Sequence, residues 1–118
     1  MKQNREYTDY LKDISDAIEK VQQFVEGMDF EKFSHDSKTV FAVIRALEII
    51  GEASKKIPET MKRQNPELPW REMAGIRDIL IHEYFGTNLR VVWNTINEDI
   101  PKLKPGIYAM LKIIERQD

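Results

Sequence analysis

A chain of 118 residues fits one compact domain, residues 1–118, long enough to bury a core without disulfides or metals. At 42% hydrophobic and 32% charged it is neither disordered nor fibrous, and with no cysteine it can form neither disulfides nor thiolate metal sites. The 18 Lys and Arg fall short of the 20 Asp and Glu, so the formal charge of −2 excludes a protein that coats nucleic acid non-specifically, and any such role must rest on a local site. The opening stretch MKQNREYTDY has no hydrophobic signal region, and no apolar run approaches the length of a membrane span. A cytoplasmic protein without a membrane partner is expected.

From Tyr7 to Val25 the residues Tyr7, Tyr10, Leu11, Ile14, Ala17, Ile18, Val21 and Phe24 recur at steps of three and four, which predicts a first helix ended near Gly27. The stretch SHDSK offers N-cap candidates. After it Val40, Val43, Ile44, Leu47, Ile50, Ser54 and Ile57 predict a second helix running up to Pro58. PETMKRQNPELP is expected to be a loop with at most one irregular helical turn. A third helix begins near Trp70, with Gly86 placed to end it; Thr87 or Asn88 can cap a fourth bearing Leu89, Val92, Trp93 and Ile96. Pro101 should kink or break that helix, leaving Leu103 to Ile114 as a short fifth piece after Pro105 and Gly106. The aromatic residues at helical spacing, Phe41 and Trp93 included, are expected in the core. No strand-like alternation or repeat is visible, so the fold class is all-α: an antiparallel four-helix bundle with a short additional C-terminal helix.

The third helix carries RDILIHEY, Arg77 to Tyr84. Met73, Ile76 and Leu80 form one apolar stripe, and Ile79 and Ile81 extend it around the cylinder. That excess of apolar surface predicts a homodimer. Arg77 and His82 are five residues apart, roughly 140° around a straight helix, so they meet in one site only if the helix loosens at its end or a two-fold axis brings in a second copy.

These residues match a known family. The chain resembles the HEPN superfamily, most closely the minimal HepT-like toxins, through Arg77, DILI, His82, Glu83 and Tyr84. The likeness continues through ALEIIGEASKKIP, LPWREMAGIRDILIHEYFG and DIPKLK, from about Tyr7 to Leu111. It implies a metal-independent endoribonuclease, the toxin of a type VII-like toxin–antitoxin pair, partnered by a minimal, MntA-like nucleotidyltransferase that transfers AMP to Tyr84. No cofactor and no metal are implied.

The chemistry can be derived beside the name. RNA brings its own nucleophile, the 2′-hydroxyl, so cleavage needs a proton-transfer group and a cation for the strained phosphate. His82 has the pKa range for the first, and Arg77 the permanent charge and fork geometry for the second. Asp78, one turn before His82, can support the imidazole or pair with Arg77. Each residue has a plainer role. A histidine in a last helical turn is often only a favourable charge at the negative end of the dipole, Arg77 can be a surface partner of Asp78 or Glu72, and Tyr84 a rim aromatic. His35 reads as a loop or helix-start residue, and Arg45 and Glu48 are given no catalytic role. Lys55, Lys56, Lys62, Arg63 and Arg71 can supply a basic patch, which the sequence does not place. The alternative to a nuclease is a catalytically idle helical module that binds a nucleotidyltransferase partner or a nucleotide.

Overall fold

The computed structural model describes residues 2–82 and 88–117, with side chains at 7–76, 78, 80 and 88–116. All regular structure among them is helical: α1 (Lys2–Phe24), α2 (Phe30–His35), α3 (Ser37–Lys55), α4 (Glu59–Gln64), α5 (Trp70–His82), α6 (Leu89–Asn94) and α7 (Ile100–Gln117), with a π-helical turn over Thr95–Asp99. No helix among the described residues is long and apolar enough to cross a membrane. The expected Gly86 stop and Thr87 cap lie outside the described residues.

Helix α3 is the hub, in contact with α1, α2 and α5, while α7 lies along α1. The reason is its apolar stripe. Val43, Leu47, Ile50 and Ser54 are buried, as are Leu11, Ile14, Ile18 and Val21 of α1, and all but Ser54 belong to one continuous core. Ser54 carries no unsatisfied-group penalty, because its hydroxyl donates to the Ile50 carbonyl at 2.6 Å. Phe41 departs from the expectation. It is 68% exposed, since two residues, or about 200°, separate it from buried Val43 on the same helix.

Local signals set the helix ends. Gly27 takes φ +75°, a left-handed value that glycine adopts without steric cost, and turns the chain after α1. Asp29 then accepts from the Lys32 amide at 2.9 Å to cap a short helix that periodicity does not anticipate. Six residues cannot hold a helix alone; here Phe33 is fully buried, stacked at 5.1 Å from Trp93, with Phe30 edge-on to the same indole and Arg90 3.8 Å over the Phe30 ring. Trp93 is thus half-buried under α2 rather than in the central core. Asp36 ends α2 and caps α3 through the Thr39 amide, and the amide and hydroxyl of Thr39 hold its carboxyl below the usual range. His35, in the last turn of α2, donates from Nδ1 to the Glu31 carbonyl at 2.8 Å.

The C-terminal part overturns the expectation of a break and a short fifth helix. Residues 89–117 form one helical run, started by Asn88, whose side chain caps Arg90 and Val91, and crossing Pro101, Pro105 and Gly106. The π turn supplies the slack, with the Ile100 amide reaching back to the Thr95 carbonyl just before the proline that lacks a donor. Thr95 and Asn97 add side-chain donors to the Val91 and Trp93 carbonyls. Both Pro101 and Pro105 face solvent, so the carbonyl that Pro105 deprives of its partner is wet. On the α1 side of α7, the Tyr108 hydroxyl donates to Glu19, and Lys104 donates to Gln22 at 2.8 Å and lies 3.4 Å from Glu19.

Candidate active site and cationic cleft

Helix α5 carries the motif, and the loop before it decides where the helix points. Trp70 is 8% exposed and its indole N–H donates to the Asn65 carbonyl at 2.9 Å, tying the first residue of α5 back across the loop. Leu68, also buried, fits over Gly106 of α7, where a Cβ would stand only 2.2 Å from a Leu68 methyl carbon. Trp70, Met73, Ile76 and Leu80 are the buried stripe, turned toward the core and α3.

The opposite stripe follows from helical geometry. Taking about 100° per residue, positions 71, 75, 78 and 82 fall within roughly 60° of one another, diametrically away from the buried residues. Arg71 and Asp78 on it are exposed. His82 is the last described residue of α5. Arg77 is on the same helix, roughly 140° around from position 82 and about 7.5 Å earlier along the axis. The side chains of Arg77, Ile79, Ile81 and His82 are not among those described, and Tyr84 lies outside the described residues altogether.

Of the five candidate cations Lys55 is exposed in the last turn of α3, and the other four separate into two places. Lys62 and Arg63, in the last turn of α4, join Arg71 of α5 around a recess of about 410 Å³ whose remaining walls are Glu59, Pro66, Trp70 and Ala74. Glu59 is its one acid, an exposed carboxylate 3.9 Å from the Lys62 ammonium. Lys56 belongs elsewhere: its ammonium lies 5.5 Å over the Tyr10 ring, in a groove shared with Asp13, Arg45 and Glu52. Arg45 lines this groove and a neighbouring one of about 400 Å³ with Asp13, Asp16 and Lys20, and Glu48 is half-buried on α3.

On another side of α5, burial pushes the Asp99 carboxyl of the π turn above its ordinary value, the nearby charges of Glu98 and Glu72 adding to the effect and Lys102 opposing it. Sequence spacing carries no sign of this pairing. Among the described residues no group of three or more His, Asp or Glu is arranged to hold a metal ion.

Comparison with known proteins adds an independent line. The family model described as "Ribonuclease HepT-like" matches residues 14–110. The chain is 61% identical over 100 residues to "Probable ribonuclease HepT" of Thermococcus cleftensis, covering 85% of this chain and 91% of that protein. It is 39% identical over 114 residues to "Putative RNase MJ1216" of Methanocaldococcus jannaschii, covering 97% and 94% of the two chains. A third relative, "Putative RNase TTE0752" of Caldanaerobacter subterraneus, is 43% identical over 103 residues, 87% of this chain and 92% of that one. No solved structure gives a significant match.

Proposed function

Because the chain belongs to the ribonuclease HepT-like family, we propose that it is a metal-independent endoribonuclease, the toxin of a type VII-like toxin–antitoxin pair. The observation that carries the reading is the family match over residues 14–110, which spans the Arg77–His82 pair on α5. In the reaction, the 2′-oxygen attacks the adjacent phosphorus as its proton leaves to a neutral base or water. The P–O5′ bond breaks, and the leaving 5′-oxygen takes a proton from the His82 imidazolium. Arg77 neutralises the charge that builds on the phosphoryl oxygens, and the products are a 2′,3′-cyclic phosphate and a 5′-hydroxyl. Asp78, exposed one turn before His82, supports the protonated ring.

The chain is read as an antiparallel bundle, and the angular separation of Arg77 and His82 favours its pairing into a two-fold homodimer, with the site in the cleft between copies. Control comes from an MntA-like nucleotidyltransferase: AMP added to Tyr84 places an anionic phosphate beside the cation meant for RNA. The partners are then the RNA substrate, the nucleotidyltransferase and a second copy, with no membrane and no metal.

The test is growth inhibition and RNA cleavage by wild type, His82→Ala and Arg77→Ala, each with and without EDTA. Both variants lose cleavage and keep their helical circular dichroism, the wild type leaves cyclic-phosphate ends, and the chelator changes nothing. Cleavage that EDTA stops and a divalent metal restores would sink the mechanism. Tyr84→Phe stays toxic alone but escapes neutralisation and gains no AMP mass; AMP found elsewhere would refute the regulatory part.

A further inference from the structure

A two-residue catalytic pair in a chain of net charge −2 leaves unanswered how a polyanion is held. The cleft between α4 and α5 gathers Lys62, Arg63 and Arg71 against the single carboxylate of Glu59, a concentration of positive charge that runs against the chain as a whole. Glu59 holds Lys62 only loosely, at 3.9 Å and with its own side chain 73% exposed; the Lys62 side chain is 17% exposed, so Arg63 and Arg71, both exposed, are the cations most open to an incoming phosphate. The floor offers no base-stacking platform, because Trp70 is 8% exposed and its N–H is already engaged by Asn65. What the cleft can recognise is phosphate, without regard to the base attached.

A second observation connects the cleft to the site. Between Arg71 and position 82 the stripe of α5 opposite the core passes half-exposed Gly75 and exposed Asp78. Glycine weakens a helix interior, yet nothing lies within 4 Å of the place a Gly75 Cβ would occupy, so packing does not require it. Its effect is to leave the helix backbone open along the track. Asp78 is the described acid on that stripe, one turn before His82.

We propose that the α4–α5 cleft is a phosphate-holding subsite for the RNA strand that reaches His82 along the solvent-facing side of α5. This rests on the nuclease reading above and deepens it. The eleven helical steps from Arg71 to His82 rise roughly 16 Å, which places the gripped phosphates about three to five nucleotides from the scissile bond. Affinity from this source is sequence-neutral and salt-sensitive, so selectivity for the cleaved bond belongs to the residues around His82.

The experiment measures binding of a fluorescein-labelled single-stranded RNA to full-length His82→Ala protein across a salt series. It is repeated with Arg63→Ala plus Arg71→Ala, with Lys62→Gln, with Gly75→Leu, and with Lys56→Ala as a cation outside the cleft. Removing one cation–phosphate pairing flattens the plot of log Kd against log salt by about 0.7, so the double variant flattens it by about 1 to 1.5 and Lys56→Ala leaves it unchanged. On the active background, the advantage of long RNA over a dinucleotide in kcat/KM shrinks by about tenfold in the double variant. Gly75→Leu, which removes no charge, weakens long-RNA cleavage while raising helix stability. An unchanged slope in the cleft variants while wild type still cleaves RNA overturns the subsite and leaves the nuclease reading standing. So does an equal decrease from Lys56→Ala, which would mean a diffuse field. A slope that falls only in the cleft variants of a protein that cuts no RNA supports the subsite and removes the nuclease.

Discussion

Two recesses of nearly equal size, about 400 Å³ between α1 and α3 and about 410 Å³ between α4 and α5, differ in how they are built and charged. The first is a valley between two long helices, kept open by Ala17, Ala42 and Ala46, with Asp13 and Asp16 facing Lys20 and Arg45. Its charges cancel. The second forms where a six-residue helix meets a loop, and its cations outnumber its acid. Long solvated helices favour mixed signs, because like charges a turn apart repel, whereas the last turn of α4 welcomes Lys62 and Arg63 at its negative end. A short helix can therefore concentrate a charge that a long one disperses, and the fold accepts it at little cost.

The strongest way to break this contrast is to remove the floor of the cationic cleft. Trp70→Ala deletes a buried indole and its bond to Asn65, and is expected to cost about 3–5 kcal/mol, read by urea unfolding. The α1–α3 valley shares no lining residue with it, so a loss well below that range would mean the cleft is not braced by Trp70. Gly106→Ala pushes a methyl into Leu68 from the other side of the same loop and is expected to cost about 1–3 kcal/mol, even though alanine is the better helix former.

Acid titration sharpens the comparison through two carboxylates of opposite behaviour. Asp99, raised chiefly by burial, is penalised in the folded state once pH exceeds its unfolded value near 3.8, and the penalty is complete above its folded value. Asp99→Asn is therefore expected to stabilise the protein at neutral pH, with the gain vanishing as pH falls below 3.8. Asp36 is lowered by its cap to Thr39, so its contribution is present above its unfolded value and lost as pH falls through the folded one. Asp36→Asn removes stability at neutral pH and none in strong acid. Thermal midpoints of the two variants across pH should cross the wild-type curve's trend from opposite sides, and parallel curves would refute both assignments. The smallest effect belongs to an exposed position on α3: Phe41→Ser should change stability by less than about 0.5 kcal/mol. A larger loss that depends on protein concentration would show that a second copy covers this face.

The long elements are legible because one signal repeats many times in each. The steps from Leu11 to Val21 and from Val43 to Ile57 name the buried stripes of α1 and α3, and SHDSK contains the cap that Asp36 supplies. Helix α2 is hidden because six residues are too few for periodicity and its stability comes from Phe33 under Trp93. Residue type points Phe41 inward, where helical register puts it outside. The proline rule fails at Pro101 because it presumes an α ladder, and the chain changes its ladder one residue earlier. At the candidate site the Arg77–His82 spacing is visible in one helix. The cationic cluster is not, because Arg63 and Arg71 are joined by a proline-bearing loop whose path depends on Trp70, Leu68 and Gly106.

The π turn over Thr95–Asp99 also sets the phase between two halves of one rod. Val92 and Ile96 before it, and Ile100, Leu103, Ile107 and Met110 after it, all reach the same core. Closing the turn to α geometry at the same chain length would swing every later position by about 100°, carrying the whole apolar stripe of α7 off α1 and with it Tyr108 from Glu19, whereas closing it with one residue deleted leaves the later phase nearly unchanged. The extra residue works as a frame-keeper: chain length at this point is a structural parameter, and a one-residue deletion within Thr95–Asp99, which the turn absorbs by closing to α pitch, should damage the fold less than the same deletion in the middle of α7.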